Sequence, residues 1–144
     1  MKVSVQAQDF DAGAEIRALS RDPKVGAVAS FVGVVREVGM TLEHYPGMTE
    51  RALQKIVEEA RGRWQVLDCT VIHRHGALKP TDQIVLVVVA SAHRGDAFAA
   101  CEFIMDYLKT RAPFWKKEQT GSGARWVEAR ESDDIAAGRW RLKG

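Results

Sequence analysis

The chain has 144 residues, which is the usual size of one domain. Hydrophobic residues make up 46% of it and charged residues 28%, proportions that exclude a disordered or collagen-like chain. The 21 Lys and Arg residues nearly balance the 19 Asp and Glu residues, and the formal charge of +2 excludes a strongly basic nucleic-acid binder. The longest apolar run, residues 84–90, is far shorter than the ~20 residues of a membrane span, and the first residues lack an apolar signal core. We therefore expect a cytoplasmic protein.

The pattern of apolar residues predicts secondary structure along the whole chain. In order, it predicts a strand at residues 1–8, a helix at 11–20, strands at 26–35 and 41–45, a helix that Thr49 caps and that runs to Trp64, strands at 66–74 and 84–90, a helix at 95–109, and a hairpin of residues 115–120 and 125–129. The near-continuous apolar run at 26–35 is typical of a strand buried on both faces. Two long helices packed on a mixed sheet, with the late hairpin in a second small sheet, place the chain in the α+β class.

For two sets of apolar residues the sequence predicts whether they face a partner or the core. Trp126 and Trp140 lie in a charge-rich region near the C-terminus and are candidates for a protein interface. The helix at residues 95–109 is expected to bury one face, formed by Ala97, Phe98, Cys101, Ile104, Met105 and Leu108.

Four residues of types that often carry chemistry are interpreted as structural. Cys69 lies in a predicted strand and Cys101 among apolar helix positions, and without a Cys-x-x-Cys spacing they indicate buried, reduced thiols. His73 and His75 share a strand face but lack a third ligand at metal spacing. We therefore expect no metal site. The sequence also has no glycine-rich phosphate-binding motif, which leaves a nucleotide cofactor without support.

A dense basic stretch follows the last predicted helix. No acidic residue lies between Asp106 and Glu118, and the interval contains four cations: Lys109, Arg111, Lys116 and Lys117. Cations at a helix C-terminus suit the helix dipole, so a solvated helix end is one interpretation. The other interpretation is catalytic, because residues 113–115 can hold the cations around a rigid aromatic corner. A lysine packed there beside other cations can lose its proton near neutral pH and act as a nucleophile or base.

Two other places are candidates for binding an anion. His93 and Arg94 lie where the strongest predicted strand meets a helix N-terminus, whose free backbone N–H groups favour anions. The competing interpretation has Asp96 capping that helix while both residues are merely exposed. Arg36 ends the long apolar strand, and strand ends are where α/β proteins place binding groups. Together, these two places can supply an anion site for a phosphate.

Four segments of the sequence resemble the large, catalytic subunit of molybdopterin synthase. They read LEHYPGM at residues 42–48, SAHR at 91–94, FIMDYLKTRAPFWKK at 103–117 and WVEAR at 126–130. The resemblance extends from residue 9 to residue 140. It implies one catalytic domain over residues 1–144, with an α/β hammerhead-like mixed sheet, two long helices and a small C-terminal antiparallel β subdomain.

The resemblance implies a sulfurtransferase that needs no metal or nucleotide cofactor. Members of the family take sulfur from the C-terminal Gly-Gly thiocarboxylate of a small ubiquitin-like sulfur carrier. They pass it twice to cyclic pyranopterin monophosphate, which forms the dithiolene of molybdopterin in molybdenum cofactor biosynthesis. The resemblance also implies a homodimer flanked by two carriers, hence a heterotetramer, with no nucleic acid and no membrane among its partners.

Matched residue by residue, the resemblance assigns catalytic and substrate-binding positions. Lys109 and Lys116 are the catalytic pair and also contact the substrate. The remaining substrate-binding positions are Arg36, His93, Arg94, Lys117, Glu118 and Arg130. One segment departs from the family pattern. Only residues 37–40 separate Arg36 from the next predicted strand, where the family usually has a longer loop rich in Asn and Gly. Contacts from this loop are therefore not transferred. A lysine that often precedes the arginine is also replaced, by Val34 or Val35.

Two functions of other classes remain open from the residues. The basic corner can serve only to dock the acidic tail of a ubiquitin-like protein, which makes the chain a binding module. A small RNA-binding α+β domain is the other alternative, but the near-neutral charge and the lack of aromatic stacking motifs on a strand weigh against it. Both lysines together with His93 and Arg94 favour the enzyme, because docking alone needs fewer groups.

Overall fold

The computed structural model describes residues 1–120, 123–127, 138 and 140. Within these residues the helices are α1 (Ala12–Leu19), α2 (Met48–Arg63) and α3 (Arg94–Arg111). The strands are β1 (Lys2–Gln6), β2 (Ala27–Val34), β3 (Met40–His44), β4 (Asp68–Arg74), β5 (Gly76–Leu78), β6 (Gln83–Ser91), β7 (Phe114–Thr120) and β8 (Gly123–Val127). Each predicted helix and strand is present, and β5 is an additional short strand. The predicted end of the hairpin at residues 128–129 lies outside the described residues.

The strands form two four-stranded sheets. The main sheet has the order β1-β4-β6-β2, with β1 parallel to β4 and the other pairs antiparallel. The small sheet has the order β5-β3-β7-β8 and is antiparallel throughout. This arrangement confirms the α+β class and the second sheet. The small sheet is larger than predicted, because β3 and β5 join the late hairpin.

The apolar run of β6 reflects its position inside the main sheet. β6 is paired on both edges, and residues 85–90 have no exposed surface. Val85, Val87 and Val89 belong to the core beneath α2 and α3, whereas the side chains between them belong to a second core beneath α1. Full burial of such a side chain contributes about 1.5–3 kcal/mol, so this strand is a major source of stability.

The prediction that residues 26–35 are buried on both faces is wrong. β2 is an edge strand of the main sheet, and Phe31 and Val34 are 42% and 49% exposed. An apolar run without a clear period looks the same in the sequence whether the strand is central or exposes apolar side chains at an edge. Exposed apolar residues on an edge strand are typical of a surface that a partner covers.

The start of α2 differs from the prediction, because Gly47 and not Thr49 is the N-cap. The Glu50 carboxylate accepts a hydrogen bond from the backbone N–H of Gly47 at 3.0 Å. Thr49 has another role: its Oγ1 accepts from the N–H of Tyr45 at 3.1 Å and donates to the carbonyl of Pro113 at 3.1 Å. Thr49 therefore ties the start of α2 to the turn between α3 and β7.

The predicted cap and apolar face of α3 need correction. His93 is the N-cap, and the Asp96 carboxylate accepts a hydrogen bond from the backbone N–H of Gln65 at 3.0 Å, so the cap predicted for Asp96 is wrong. Phe98 is 66% exposed, whereas the other five predicted inward residues are buried. Phe103 is also buried, because the covered face of α3 is wider than the predicted stripe.

Trp140 packs against the chain's own core and is only partly buried, and its role in an interface stays a prediction. Its indole ring makes edge contacts with Trp64 and Phe103 at centroid distances of 5.3 and 5.7 Å, and its Nε1–H donates to Asp106. For Trp126, the structure describes the strand position in β8. The prediction for its side chain lies outside the described part of the chain.

The two cysteines are free and buried, as predicted. Burial raises the pKa of both the Cys69 and the Cys101 thiol to about 12, because a thiolate is poorly solvated in an apolar core. Among the described residues, no helix is both long and apolar enough to cross a membrane.

Two glycine substitutions should have opposite effects on stability. A Cβ at Gly26 would lie 2.2 Å from the carbonyl oxygen of Ala92, so Gly26→Ala should destabilise the fold by about 2 kcal/mol. Gly62 lies in α2 with open space around its Cα, so Gly62→Ala should stabilise the fold by about 0.5–1 kcal/mol. Urea unfolding of both variants measures these changes. Equal stability of Gly26→Ala and the wild type would contradict the close approach.

Candidate active site

The two lysines of the predicted catalytic pair lie on either side of a sharp turn. Lys109 is in the last turn of α3 and is exposed, and Lys116 follows in β7 and is half-buried. The chain reverses between them at Pro113, where the N–H of Phe114 donates to the carbonyl of Ala112 at 2.9 Å. The structure thus places both lysines near the aromatic corner that the sequence predicts.

Strand alternation separates Lys116 from its neighbour Lys117. Lys116 lies opposite buried Leu42 of β3, so it is on the face of the small sheet that turns toward the core. Lys117 lies opposite Thr41 and therefore belongs to the other face. The predicted substrate-lining segment is consequently divided between two surfaces, and Lys117 does not share a face with Lys116.

The outer face of the small sheet carries an exposed aromatic pair. Trp115 makes an edge contact with Tyr45 at a centroid distance of 4.2 Å, and both rings are exposed. Glu118 lies opposite Met40, two positions beyond Lys116 in β7. The substrate-binding role of its side chain stays a prediction.

His73 joins the basic corner, although the sequence marked it only as structural. Its ring stacks on Phe114 at a centroid distance of 3.7 Å and an interplanar angle of 20°. Its Nδ1 lies 2.8 Å from the carbonyl oxygen of Arg74, so Nδ1 carries the proton and donates it. The pKa of His73 is lowered to about 3, chiefly by burial and to a smaller extent by the positive charge of Lys109, whereas the hydrogen bond to Arg74 acts in the opposite direction. His73 is therefore neutral and lies within the electrostatic reach of Lys109.

A second pair of histidine rings lies beside this corner. His44 and His75 have centroids 4.2 Å apart. Partial burial lowers the pKa of His75, the charge of His44 lowers it further, and Glu50 opposes both effects. In the described ranges, no group of three or more His, Cys, Asp or Glu residues is placed to hold a metal ion.

Arg36 lies at the same end of the main sheet as Lys109. It follows β2, whose last residue, Val34, pairs with Gln83 at the beginning of β6. Lys109 acts on His73, which pairs with Val85 two residues further along β6. Because Arg36 is exposed, its guanidinium is available to an anionic ligand at this end of the molecule.

His93 and Arg94 lie at the opposite end of the main sheet. They follow the last residue of β6, and α3 then leads away from them toward Lys109. The helical rise of about 1.5 Å per residue puts Arg94 and Lys109 about 22 Å apart along α3. A single chain therefore does not combine Arg36, His93 and Arg94 in one anion site. The strand-end argument applies to parallel strands, but β2 and β6 are antiparallel, so their carboxyl ends point in opposite directions.

Two further cations of the sequence analysis are Arg111 and Arg130. Arg111 stacks on the ring of Tyr107 at 3.7 Å and pairs with both carboxylate oxygens of Glu59 at 3.3 Å. These contacts hold the end of α3 against α2, so Arg111 is engaged in packing. Arg130 lies outside the described residues, and its substrate-binding role stays a prediction.

Acid should destabilise the fold through His73. Its pKa of about 3 in the folded state is below its ordinary value of 6.5, so between these values the unfolded chain binds a proton that the folded chain does not. The stability that is fully present above pH 6.5 is therefore lost as pH falls, by about 1.4 kcal/mol per pH unit.

The control for this prediction is His73→Phe, which cannot titrate at this position. As pH falls from about 7 to about 4, the unfolding free energy of the wild type should decrease more than that of His73→Phe. Urea unfolding at several pH values measures it. A difference that does not change with pH would contradict a neutral, buried His73.

Comparison with known proteins identifies the family of the chain. The family model of the MoaE protein matches residues 5–111. The molybdopterin synthase catalytic subunit of Ralstonia nicotianae is 62% identical, with 97% of this chain and 84% of that protein covered. The solved structure of the molybdopterin biosynthesis MoaE protein from Burkholderia ambifaria MC40-6 has a TM-score of 0.86 at 58% identity and covers 99% of this chain and 100% of that one.

A more distant structure shows how far the fold is kept. In the protein–protein complex of subunits 1 and 2 of molybdopterin-converting factor from Helicobacter pylori, the matching chain has a TM-score of 0.72 at 20% identity, with 90% of each chain covered. At this identity the likeness concerns the fold alone. With the family match over residues 5–111 and the high identity to curated relatives, the chain belongs to the MoaE family of molybdopterin synthase catalytic subunits.

Proposed function

We propose that the chain transfers sulfur from the C-terminal thiocarboxylate of a small carrier protein to cyclic pyranopterin monophosphate, forming the dithiolene of molybdopterin. The observation that carries this proposal is the placement of Lys109 and Lys116 on either side of the Pro113 turn, in a chain of the MoaE family. We place the reaction in the cytoplasm, where two free cysteines stay reduced.

The charges of the site suit both reactants. The carrier tail ends in a thiocarboxylate and the pterin precursor carries a cyclic phosphate, so both are anions that lysine and arginine side chains bind through charge-assisted hydrogen bonds. Lys109 and Lys116 at the turn, with Arg36 at the same end of the main sheet, supply three such groups. This concentration of positive charge favours the approach of two anions that would otherwise repel each other.

Each transfer also requires protons to move. The carrier's sulfur attacks the pterin side chain, oxygen leaves the substrate, and the acyl link that remains to the carrier is cleaved by water. Lys109, exposed at the end of α3, is placed to act as acid, base or oxyanion partner in these steps. Lys116, half-buried on the inner face of β7, is placed to hold the substrate.

The complete substrate site is formed by two copies of the chain in this proposal. Arg36, Lys109 and Lys116 come from one copy, and His93 and Arg94 come from the other. The separation of about 22 Å between Arg94 and Lys109 within one chain supports this division. The exposed apolar residues Phe31 and Val34 on edge strand β2 support a contact between copies. Two carriers bound to such a dimer give a heterotetramer.

Removing each lysine should separate their roles. Lys109→Ala should lower turnover by ~100-fold or more, the scale of a lost general acid–base group, while the fold survives. Lys116→Ala should do less harm if the lysine positions the substrate. Product formation is measured with the thiocarboxylated carrier and the pterin precursor, and Lys55→Ala, which removes an exposed cation of α2, is the control.

Three outcomes of this experiment bear on the assignment. An inactive Lys116→Ala beside a near-normal Lys109→Ala would reverse the two roles. Full activity of both variants would remove the lysines from the site. Carrier binding by a wild-type chain that forms no product would instead support the binding module.

Mixed dimers test whether two copies share the site. If Lys109 and Arg94 serve one substrate from different chains, mixing inactive Lys109→Ala with inactive Arg94→Ala protein should restore roughly a quarter of the wild-type activity. Half of randomly paired dimers are mixed, and each has one intact site out of two. The control mixture is Lys109→Ala with Arg36→Ala. In the proposal one copy supplies both of these residues to a site, so a mixed dimer has no intact site. The activity of this mixture should equal the mean of the two variants' activities. No recovery in the first mixture would contradict a shared site.

A further inference from the structure

We propose that His73 is a positioning residue for the sulfur transfer: its ring, stacked on Phe114, fixes β7 and hence Lys116 relative to Lys109. This inference rests on the proposed function of the two lysines. It assigns a role to a buried histidine that the proposed chemistry does not use.

The two lysines belong to different packing units of the protein. Lys109 is part of α3, which packs on the main sheet, whereas Lys116 is part of β7, which pairs with β3 and β8 in the small sheet. Backbone pairing within either sheet therefore does not set the distance between the two amines. That distance depends on contacts that cross from one sheet to the other.

The stack of His73 on Phe114 is such a contact. His73 is in β4, inside the main sheet between β1 and β6, where it is held by ladder hydrogen bonds on both sides. Phe114 is the first residue of β7, two positions before Lys116 and on the same strand face. A centroid distance of 3.7 Å leaves no free space between the rings, so β7 begins at a position that the main sheet determines.

The ring of His73 is also fixed in orientation. Its Nδ1–H donates to the carbonyl of Arg74 at 2.8 Å, which restrains rotation about the side-chain torsions. The charged or titratable groups that act on the ring are Lys109 of α3, His44 of β3 and His75 after β4, and all of them disfavour its protonation. A neutral ring is the form that suits this place, because an imidazolium would repel the ammonium of Lys109.

Two substitutions distinguish the ring from its hydrogen bond. His73→Phe keeps an aromatic ring for the stack but loses the donor to Arg74. His73→Asn keeps a donor near the position of Nδ1 but loses the ring. Val71→Ala is the matched control, because Val71 is equally buried on the same face of β4, two residues away. Each protein is assayed for kcat, KM for the pterin precursor, and Tm, with thiocarboxylated carrier in excess.

If the stack positions the lysines, His73→Asn lowers kcat by about 10- to 100-fold, the scale of a misplacement of about 1 Å, with little change in KM. His73→Phe restores kcat to within about threefold of the wild type despite a lower Tm. Val71→Ala lowers Tm without lowering kcat. A kcat of His73→Asn equal to that of Val71→Ala would overturn the inference, and so would a His73→Phe protein as slow as His73→Asn.

The wild-type protein in the same assay keeps the two proposals distinguishable. Product from the wild type together with unchanged kcat in His73→Asn overturns the positioning role and leaves the proposed function intact. If the wild type forms no product with competent carrier and precursor, the proposed function fails, and the positioning role fails with it. Should His73→Asn not fold, a kcat of His73→Phe more than about tenfold below the wild type overturns the inference on its own.

Discussion

Full coverage of β6 is the constraint on which the rest of the structure depends. The strand is paired on both edges and buried on both faces, so a charged side chain within it would lie unpaired in an apolar core at a cost of several kcal/mol. Charged side chains are therefore displaced to the two ends of the strand. His93 and Arg94 follow its last residue, and Lys109 lies where α3 has returned along the sheet.

The small sheet makes the two ends unequal. Its strand β3 follows Arg36 and its strand β7 follows α3, so its two central strands begin near the same end of the main sheet. Thr49 and His73 then fasten this sheet to the rest of the molecule, the first through the Pro113 carbonyl and the second through the Phe114 ring. The lysine end thus lies beside both sheets, whereas His93 and Arg94 are exposed at the other end of the main sheet.

Sequence patterns identified most of the secondary structure and the basic corner, because apolar periodicity and a run of cations are local properties. They did not reveal that Arg36 and Arg94 lie far apart, since the direction of β2 relative to β6 is a property of the sheet. Phe98 was misplaced for a similar reason: an aromatic residue packs inward or outward according to what lies next to it in space. His73 was recognised as structural, but its contact with Phe114 joins residues 41 positions apart and leaves no local signal.

The buried thiols have a consequence for the proposed sulfur transfer. With a pKa of about 12, roughly one thiol in 100,000 is ionised at neutral pH, and the thiolate is the form that attacks an acyl or sulfur centre. Cys69 and Cys101 are also enclosed in the core among β4, β6 and α3, out of reach of a reactant at the surface. Under the proposed function, the chain's own thiols are thereby insulated from the reaction, and a thiocarboxylate would meet no competing acceptor in these two cysteines.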